Sequence, residues 1–345
     1  MITVALDAQH TRHSSAGIAR YATNLAQALR KRADLRIVEL GGGDVVRRGT
    51  ARKKLLTAQH DLIWYPFLAR RRARDVRAQI YHSPLLRGPL RRGTPSFVMT
   101  VHDLVPIRYP ETMPRWHRGY TSLALRQLLK SADRIIAPSQ DTANDLMALL
   151  RVSSEKIRVI PNGVDAFFFG APPQRSVADP YVLFVGTPEP RKNLKRLVEA
   201  VRAVRASGHV TRLVVVGAGG WDPGWNADPN FVSVLGRVSD EELHSLYAGA
   251  RCVALPSLHE GFGLPALEAM AVGTPVVAGR SGALPEITDN AAILVDPYRV
   301  DDIANGIVSA IEQRDRLVPA GRERARQFSW SRAAELTESV YRELI

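Results

Sequence analysis

Two glutamates, Glu260 and Glu268, have seven residues between them in HEGFGLPALEAM, residues 259 to 270, directly after the apolar run RCVALPS. Carboxylates on both sides of a glycine-bearing turn suit an elongated polar ligand. The apolar run reads as a strand, and Pro265 reads as the first position of a helix that Gly273 ends. The start of such a helix offers unpaired amides and the positive end of the helix dipole, and glycines let an anionic group approach the backbone. From about one turn in, Glu268 can accept two hydrogen bonds from a ribose diol while phosphates lie at the helix end. Glu260, ahead of the turn, then faces the other end of the same ligand. The bland alternative for a glutamate in a first turn is a complement to the helix dipole. Two further chemistries fail on spacing. Gly261, Gly263 and Ala266 match G-x-G-x-x-A, but the next strand, TPVVAGR, ends without the acid that a nicotinamide ribose needs. H-E-x-x-H fails because position 263 is glycine.

The elements that must position these residues alternate along the chain. Short apolar runs and amphipathic segments succeed one another, the pattern of α/β units on parallel sheets. ITVAL, LRIVEL, QIYHS, SFVMTV, DRIIAPS and KIRVIP are the strand segments of the first half. YVLFVG, TRLVVVG, FVSVLG, RCVALP, TPVVAG and AAILVD are those of the second. Helical segments include IARYATNLAQALRKR, RWHRGYTSLALRQLLK, DTANDLMALL behind a Ser139 N-cap, KNLKRLVEAVRAVRAS, and SDEELHSLYAGA with a Ser239/Glu242 capping box. The stretch 161–180 is rich in Pro, Gly and polar residues and reads as a linker. The expected fold is therefore two doubly wound α/β domains, 1–165 and 181–328, joined through 166–180, facing one another across a cleft. The last segment, 329–345, is a terminal helix whose packing the pattern leaves open.

A chain of 345 residues with 45% apolar content can fill two cores. No apolar stretch has the roughly 18 residues of a membrane helix, and MITVALDAQH has no basic segment ahead of its apolar run. The lone Cys252 excludes a disulfide framework and a thiolate metal site, which points to a cytoplasmic protein. The excess of 47 basic over 34 acidic residues, a net charge of +13, concentrates in runs such as LRKRADLR and ARRRARDVR. Such runs are either solvated surface or an attraction to anions: phosphorylated small molecules, an anionic membrane or nucleic acid. Nucleic acid is the weakest of these, since the runs carry no interleaved aromatics and no recognisable module.

EGFGLPALE resembles the E-x7-E motif of retaining glycosyltransferases of the GT-B fold, family 4 (group 1). GTPEPRKNL, VVVGAGG, LGRVSDEELHSLYAGA and SGALPEI follow the family's order in the second half. SSAGIARYATNL, VHDLVPIRYP and VIPNGVD resemble its glycine loop, histidine segment and interdomain linker in the first. The likeness extends to bacterial mannosyltransferases of cell-surface polysaccharide (lipopolysaccharide-type) assembly.

That resemblance implies roles. Arg191 and Lys192 would hold the donor diphosphate, in keeping with the rule that cations at a helix start want an anion nearby. Thr187, where many relatives carry arginine after the glycine matching Gly186, shifts the load onto Lys192. Glu268 would bind the ribose and Glu260 would stand beside the transferred sugar. Gly261, Phe262, Gly263 and Leu264 would offer amides, and the turn at Arg237 and Val238 would hold the base. In the first domain Gly17 belongs to the loop at the diphosphate, His102 to the donor sugar, and Asp103 to the acceptor side. No D-x-D triplet occurs, so no divalent metal or other cofactor is expected. The implied activity is transfer of a hexose from a nucleotide sugar, GDP-mannose first with UDP- or dTDP-sugars as alternatives, to a glycan or polyprenyl-linked acceptor. It would proceed with retention, at the inner face of the cell membrane. A nucleotide-sugar epimerase, a phosphorylase or a non-catalytic nucleotide-binding protein are the alternatives.

Overall fold

All twelve apolar runs become strands, and every pairing between them is parallel. The structure, a computed structural model, describes residues 1–8, 17–41, 64–65, 68–109, 125–171, 180–209, 212–220, 222 and 224–345. Residues 115–124 of the helical segment RWHRGYTSLALRQLLK, Ser14–Ala16 of the glycine loop and 172–179 of the linker lie outside those described. The chain divides into two compact units, one of Met1–Gly163 with Trp330–Ile345, the other of Val164–Ser329.

In the first unit β1 (Ile2–Asp7), β2 (Leu35–Leu40), β3 (Ile80–Ser83), β4 (Ser96–Thr100), β5 (Arg134–Ala137) and β6 (Ile157–Val159) lie in the order β2-β1-β3-β4-β5-β6. Neighbouring residues of each strand face opposite sides of the sheet, and both sides are apolar, which is why the strands read as unbroken hydrophobic runs. Tyr81, Phe97, Met99 and Ile135 pack on one side. Val4, Ile80, Val98 and Ile136 pack on the other, against Tyr21, Leu25 and Leu29 of the helix Gly17–Arg30. The terminal helix Trp330–Arg342 adds Ala333, Ala334, Val340 and Tyr341 to this second core. The last segment of the chain thus completes the first unit.

Its attachment includes a buried polar chain. Tyr341 Oη lies 2.6 Å from His82 Nδ1, His82 Nε2 lies 2.9 Å from Thr100 Oγ1, and Thr100 Oγ1 lies 2.9 Å from Tyr21 Oη. Ion pairs ring it: Arg32 to Glu338 at 2.6 Å, Arg342 to Asp34 at 2.7 Å, and Arg158 to Glu343 at 2.6 Å. Burial, then the neighbouring His102, pulls the His82 pKa down to about 3, so the ring stays neutral in the folded chain.

In the second unit β7 (Tyr181–Val185), β8 (Arg212–Val216), β9 (Val232–Gly236), β10 (Cys252–Leu255), β11 (Val276–Gly279) and β12 (Ile293–Val295) lie in the order β12-β11-β10-β7-β8-β9. One apolar core surrounds them, with the helices Leu194–Ala206, Asp240–Gly249 and Leu264–Val272 among its walls. Val300–Glu312 and Arg314–Arg326 are helices outside the segments singled out above. No helix among the described residues is long and apolar enough to cross a membrane.

Tyr341→Phe leaves His82 with an unpaired buried nitrogen, and urea denaturation is expected to show a loss of about 1–3 kcal/mol. The same buried histidine sets a pH dependence. Its folded pKa lies below the unfolded value, so the stability it contributes is complete above about pH 6.5 and is lost as pH falls toward 3, by up to about 1.4 kcal/mol per unit.

Candidate functional site

The second sheet reverses direction at β7. From this central strand the chain first builds outward through β8 and β9, then returns to place β10 on the opposite side. Open α/β sheets bind ligands in the crevice outside the carboxyl ends of the two strands at such a switch point. Both segments marked by the sequence emerge there, 186–192 after β7 and 256–263 after β10. The Leu258 amide donates to Arg191 O at 2.7 Å, and Asn193 Nδ2 donates to Pro256 O at 3.0 Å and Pro297 O at 2.6 Å, tying the two together.

The charged side chains meet across that tie. Lys192 Nζ donates to Glu260 Oε1, which also accepts from Ser257 Oγ at 2.8 Å. Arg191 Nη1 donates to Glu260 Oε2 at 3.0 Å and to His259 O at 3.2 Å, while its Nε reaches Glu189 Oε2 at 2.8 Å. Glu260 is 8% exposed and Lys192 9%. Burial alone would raise the Glu260 carboxyl, but Lys192 and Arg191 outweigh it and hold its pKa down to about 2. The anion beside the two cations is therefore the protein's own carboxylate, held ionised and oriented through both oxygens. Two cations and two carboxylates balance within this cluster, so an added anion would have to compete with Glu260 and Glu189 for the same guanidinium and ammonium groups.

The helix Leu264–Val272 starts one residue earlier than the sequence suggests, with Pro265 second, and Gly273 closes it in a left-handed conformation. Gly263 forms its N-terminal boundary at φ +101°, and no side chain caps that end. Glu268, 3% exposed, accepts a hydrogen bond from Tyr247 Oη at 2.9 Å. Tyr247 is a site residue that sequence reasoning missed; its only signal was an aromatic on the buried face of SDEELHSLYAGA. Gly282, at φ +60°, has no room for a side chain, because a Cβ there would stand 2.5 Å from Glu260 O. The next residue, Ala283, donates its amide to that oxygen at 2.9 Å, so SGALPEI braces the glutamate from behind. Phe262 turns its ring into the core, edge-on to Phe328 at 5.9 Å. The Gly186 amide bonds Val216 O at 2.9 Å. After Gly236, at φ +71°, Arg237 is exposed and Val238 packs partly against the core.

In the first unit Gly17 is the first residue of its helix, and a Cβ there would meet nothing within 4 Å. One turn on, Tyr21 meets the His102 ring edge-on at 4.6 Å. His102 Nε2 lies 3.0 Å from Pro84 O. A carbonyl only accepts, so the ring proton sits on Nε2 and Nδ1 is the acceptor of the neutral ring. Burial lowers the His102 pKa, with the Pro84 bond and Asp103 offsetting only part of this. Asp103 Oδ1 accepts from the Val105 amide at 3.2 Å, a local turn at the start of the short helix Val105–Arg108.

The model of the group 1 glycosyl transferases matches residues 171–328, and that of Glycosyltransferase Family 4 matches 15–166. The O-antigen chain mannosyltransferase B of Escherichia coli is 30% identical, over 78% of this chain and 75% of its own. The chain belongs to glycosyltransferase family 4. The MMP α-(1→4)-mannosyltransferase of Mycolicibacterium hassiacum is 32% identical over 67% of this chain, which spans 58% of that relative. Among solved structures, the sucrose-phosphate synthase of Thermosynechococcus elongatus superposes with a TM-score of 0.71 at 22% identity, covering 100% of this chain and 99% of that one. Anabaena HepE, solved with UDP and glucose, gives 0.70 at 16% identity, covering 99% of this chain and all of its own. These likenesses fix the fold as GT-B, and the family makes the protein a glycosyltransferase.

Removing Glu260 alone strands a buried ammonium. Glu260→Ala is expected to cost about 3–5 kcal/mol in urea denaturation, and the double change with Lys192→Met to recover much of that loss. Additive losses would show that the pair is not coupled.

Proposed function

We propose that the second unit binds a nucleoside-diphosphate hexose along the turn between Glu260 and Glu268, and that the enzyme transfers the hexose with retention and without a metal ion. The observation that carries this reading is the convergence of Arg191, Lys192 and Glu260 at the carboxyl ends of β7 and β10. Glu268 follows on the helix that starts from the same turn. GDP-mannose is the preferred donor, supported by the mannosyltransferases among the relatives. A glycan or polyprenyl-linked acceptor in cell-surface polysaccharide assembly is supported by the O-antigen relative.

Cleavage of the anomeric bond leaves positive character on the sugar and charge on the departing diphosphate. Lys192, Arg191 and the uncapped N-terminus of Leu264–Val272 stabilise that charge. They are already in place, so no reorganisation is needed as the bond breaks. Glu268, steadied by Tyr247, holds the ribose hydroxyls. Glu260 is ionised throughout the physiological range and so cannot act as a proton donor. Its oxygens hold the two cations, and it serves as the counter-charge beside the sugar instead of a covalent nucleophile. The leaving phosphate takes the acceptor proton in a front-face attack. In the first unit His102, neutral with Nδ1 left as an acceptor, and Asp103 remain the candidates that the family resemblance names for the sugar and the acceptor.

A reversible contact with the inner membrane surface is supported by Arg71, Arg72, Arg74 and Arg77, exposed on and after the helix Ala69–Asp75. Exposed Arg91 adds to them, its carbonyl accepting from the buried Arg70.

Calorimetric titration with GDP, set beside transfer rates, separates the two glutamates. Glu268→Ala is expected to weaken GDP by roughly ten- to a hundredfold. Glu260→Ala is expected to leave GDP affinity equal or higher, since it frees two cations, while turnover collapses. Equal loss of affinity in both would overturn the placement. Transfer should persist in excess chelator, and co-sedimentation with anionic vesicles should exceed that with neutral ones at low salt.

A further inference from the structure

At the far end of the helix Leu264–Val272, away from its donor-side start, lies a cleft of about 450 Å³ lined by Val272, Gly273, Arg314, Asp315, Pro319 and Arg322, among others. Nine residues of helix, about 13 Å, separate it from the turn described above. Its chemistry is lopsided. Several arginines of this chain find carboxylates, as Arg30 does with Glu39, Arg158 with Glu343 and Arg299 with Asp301. Those of the cleft do not. Arg314 is half-buried and makes no hydrogen bond or ion pair with any described residue. Arg322 spends one nitrogen on Val272 O, at 3.0 Å, and lies flat over Gly273, where a Cβ would stand 2.8 Å from its Nε. Arg251 approaches Arg314 closely enough for the two charges to repel. Against Arg314 and Arg322 the lining offers one carboxylate, the exposed Asp315.

A half-buried guanidinium without a counter-ion carries a desolvation cost that folding alone does not return. Burial, then Arg251, pulls the Arg314 pKa below its ordinary value, and Asp315 and Cys252 offset only part of this. Arg314 is also the first residue of the helix Arg314–Arg326, whose N-terminus has no side-chain cap. A cation in that position is unfavourable with the helix dipole, whereas an anion held between the guanidinium and the helix end satisfies both. We infer that this cleft is a second anion site, built for a phosphate monoester that Arg314 and Arg322 grip, with the charge of Arg251 adding to theirs. Planar guanidinium forks match phosphate oxygens in pairs, and the volume admits a small phosphorylated molecule or a lipid phosphate headgroup.

Inorganic phosphate is the first probe, titrated calorimetrically into wild type, Arg314→Gln and Lys192→Ala. The expected result is a binding event that Lys192→Ala retains and Arg314→Gln weakens at least tenfold, with GDP affinity unchanged in Arg314→Gln. Thermal melts test whether Arg314 is merely structural. Without phosphate, Arg314→Gln should melt no lower than wild type, and added phosphate should raise the melting temperature of wild type and of Lys192→Ala but not of Arg314→Gln. Equal phosphate affinity in Arg314→Gln, or a single event abolished by Lys192→Ala, overturns the site. So does a lower melting temperature of Arg314→Gln in phosphate-free buffer. Glycerol 3-phosphate in solution and vesicles containing phosphatidic acid then distinguish the source. Arg314-dependent binding to the first marks a free metabolite, and to the second alone a headgroup.

Discussion

Lys192 and Glu260 stand 68 positions apart, and they meet only because β7 and β10 are neighbours in the sheet. Taking a carboxylate and an ammonium out of water is costly, and the cost is offset only when the geometry is good and the remaining lone pairs are filled. Ser257, Arg191 and Lys192 fill them for Glu260. Ala283 fixes its backbone, and Gly282 lets that segment come close enough to do so. The strand order, the two turns and the SGALPEI segment therefore share one requirement, which is to keep this charge cluster closed. The proposed chemistry draws on the same closure, since cations held rigidly in advance would stabilise a departing diphosphate better than mobile ones.

Beside His102 the buried polar groups of the first unit are neutral, where the cluster around Glu260 is charged. Tyr21 touches His102 with its ring and Thr100 with its hydroxyl, and Thr100 leads through His82 to Tyr341. The surroundings of His102 are thus linked, through three intervening side chains, to the helix Trp330–Arg342. This relay works only with uncharged rings, which fits the lowered pKa of both histidines.

Much of this could be read in the letters. Parallel strands buried on both faces appear as continuous apolar runs, and all twelve were legible for that reason. The turn after β10 was legible because glycines, a proline and two carboxylates have few other reasons to stand together. What remained hidden was long-range. That Glu260 is the counter-ion of Lys192, and that Tyr247 reaches Glu268, depends on which strands and helices become neighbours. Arg314–Arg326 is strongly polar and contains Pro319, a residue that argues against a helix interior. The amphipathic pattern of the terminal helix says that it packs, but a stripe of small and apolar residues does not say against which sheet.

Because Trp330–Ile345 belongs to the first unit, the order in which the chain is made differs from the order in which it can be finished. A ribosome extends the polypeptide from its N-terminus, and domains fold as units as they emerge. The second unit is one contiguous stretch and has all its residues once Ser329 is out. The first unit, synthesised earlier, must wait for Trp330–Arg342 before Tyr341 reaches His82 and the core that Tyr21, Leu25 and Leu29 cover in part is completed. Until Trp330–Arg342 has been made, Ala333, Ala334, Val340 and Tyr341 are missing from a core whose other residues were made long before.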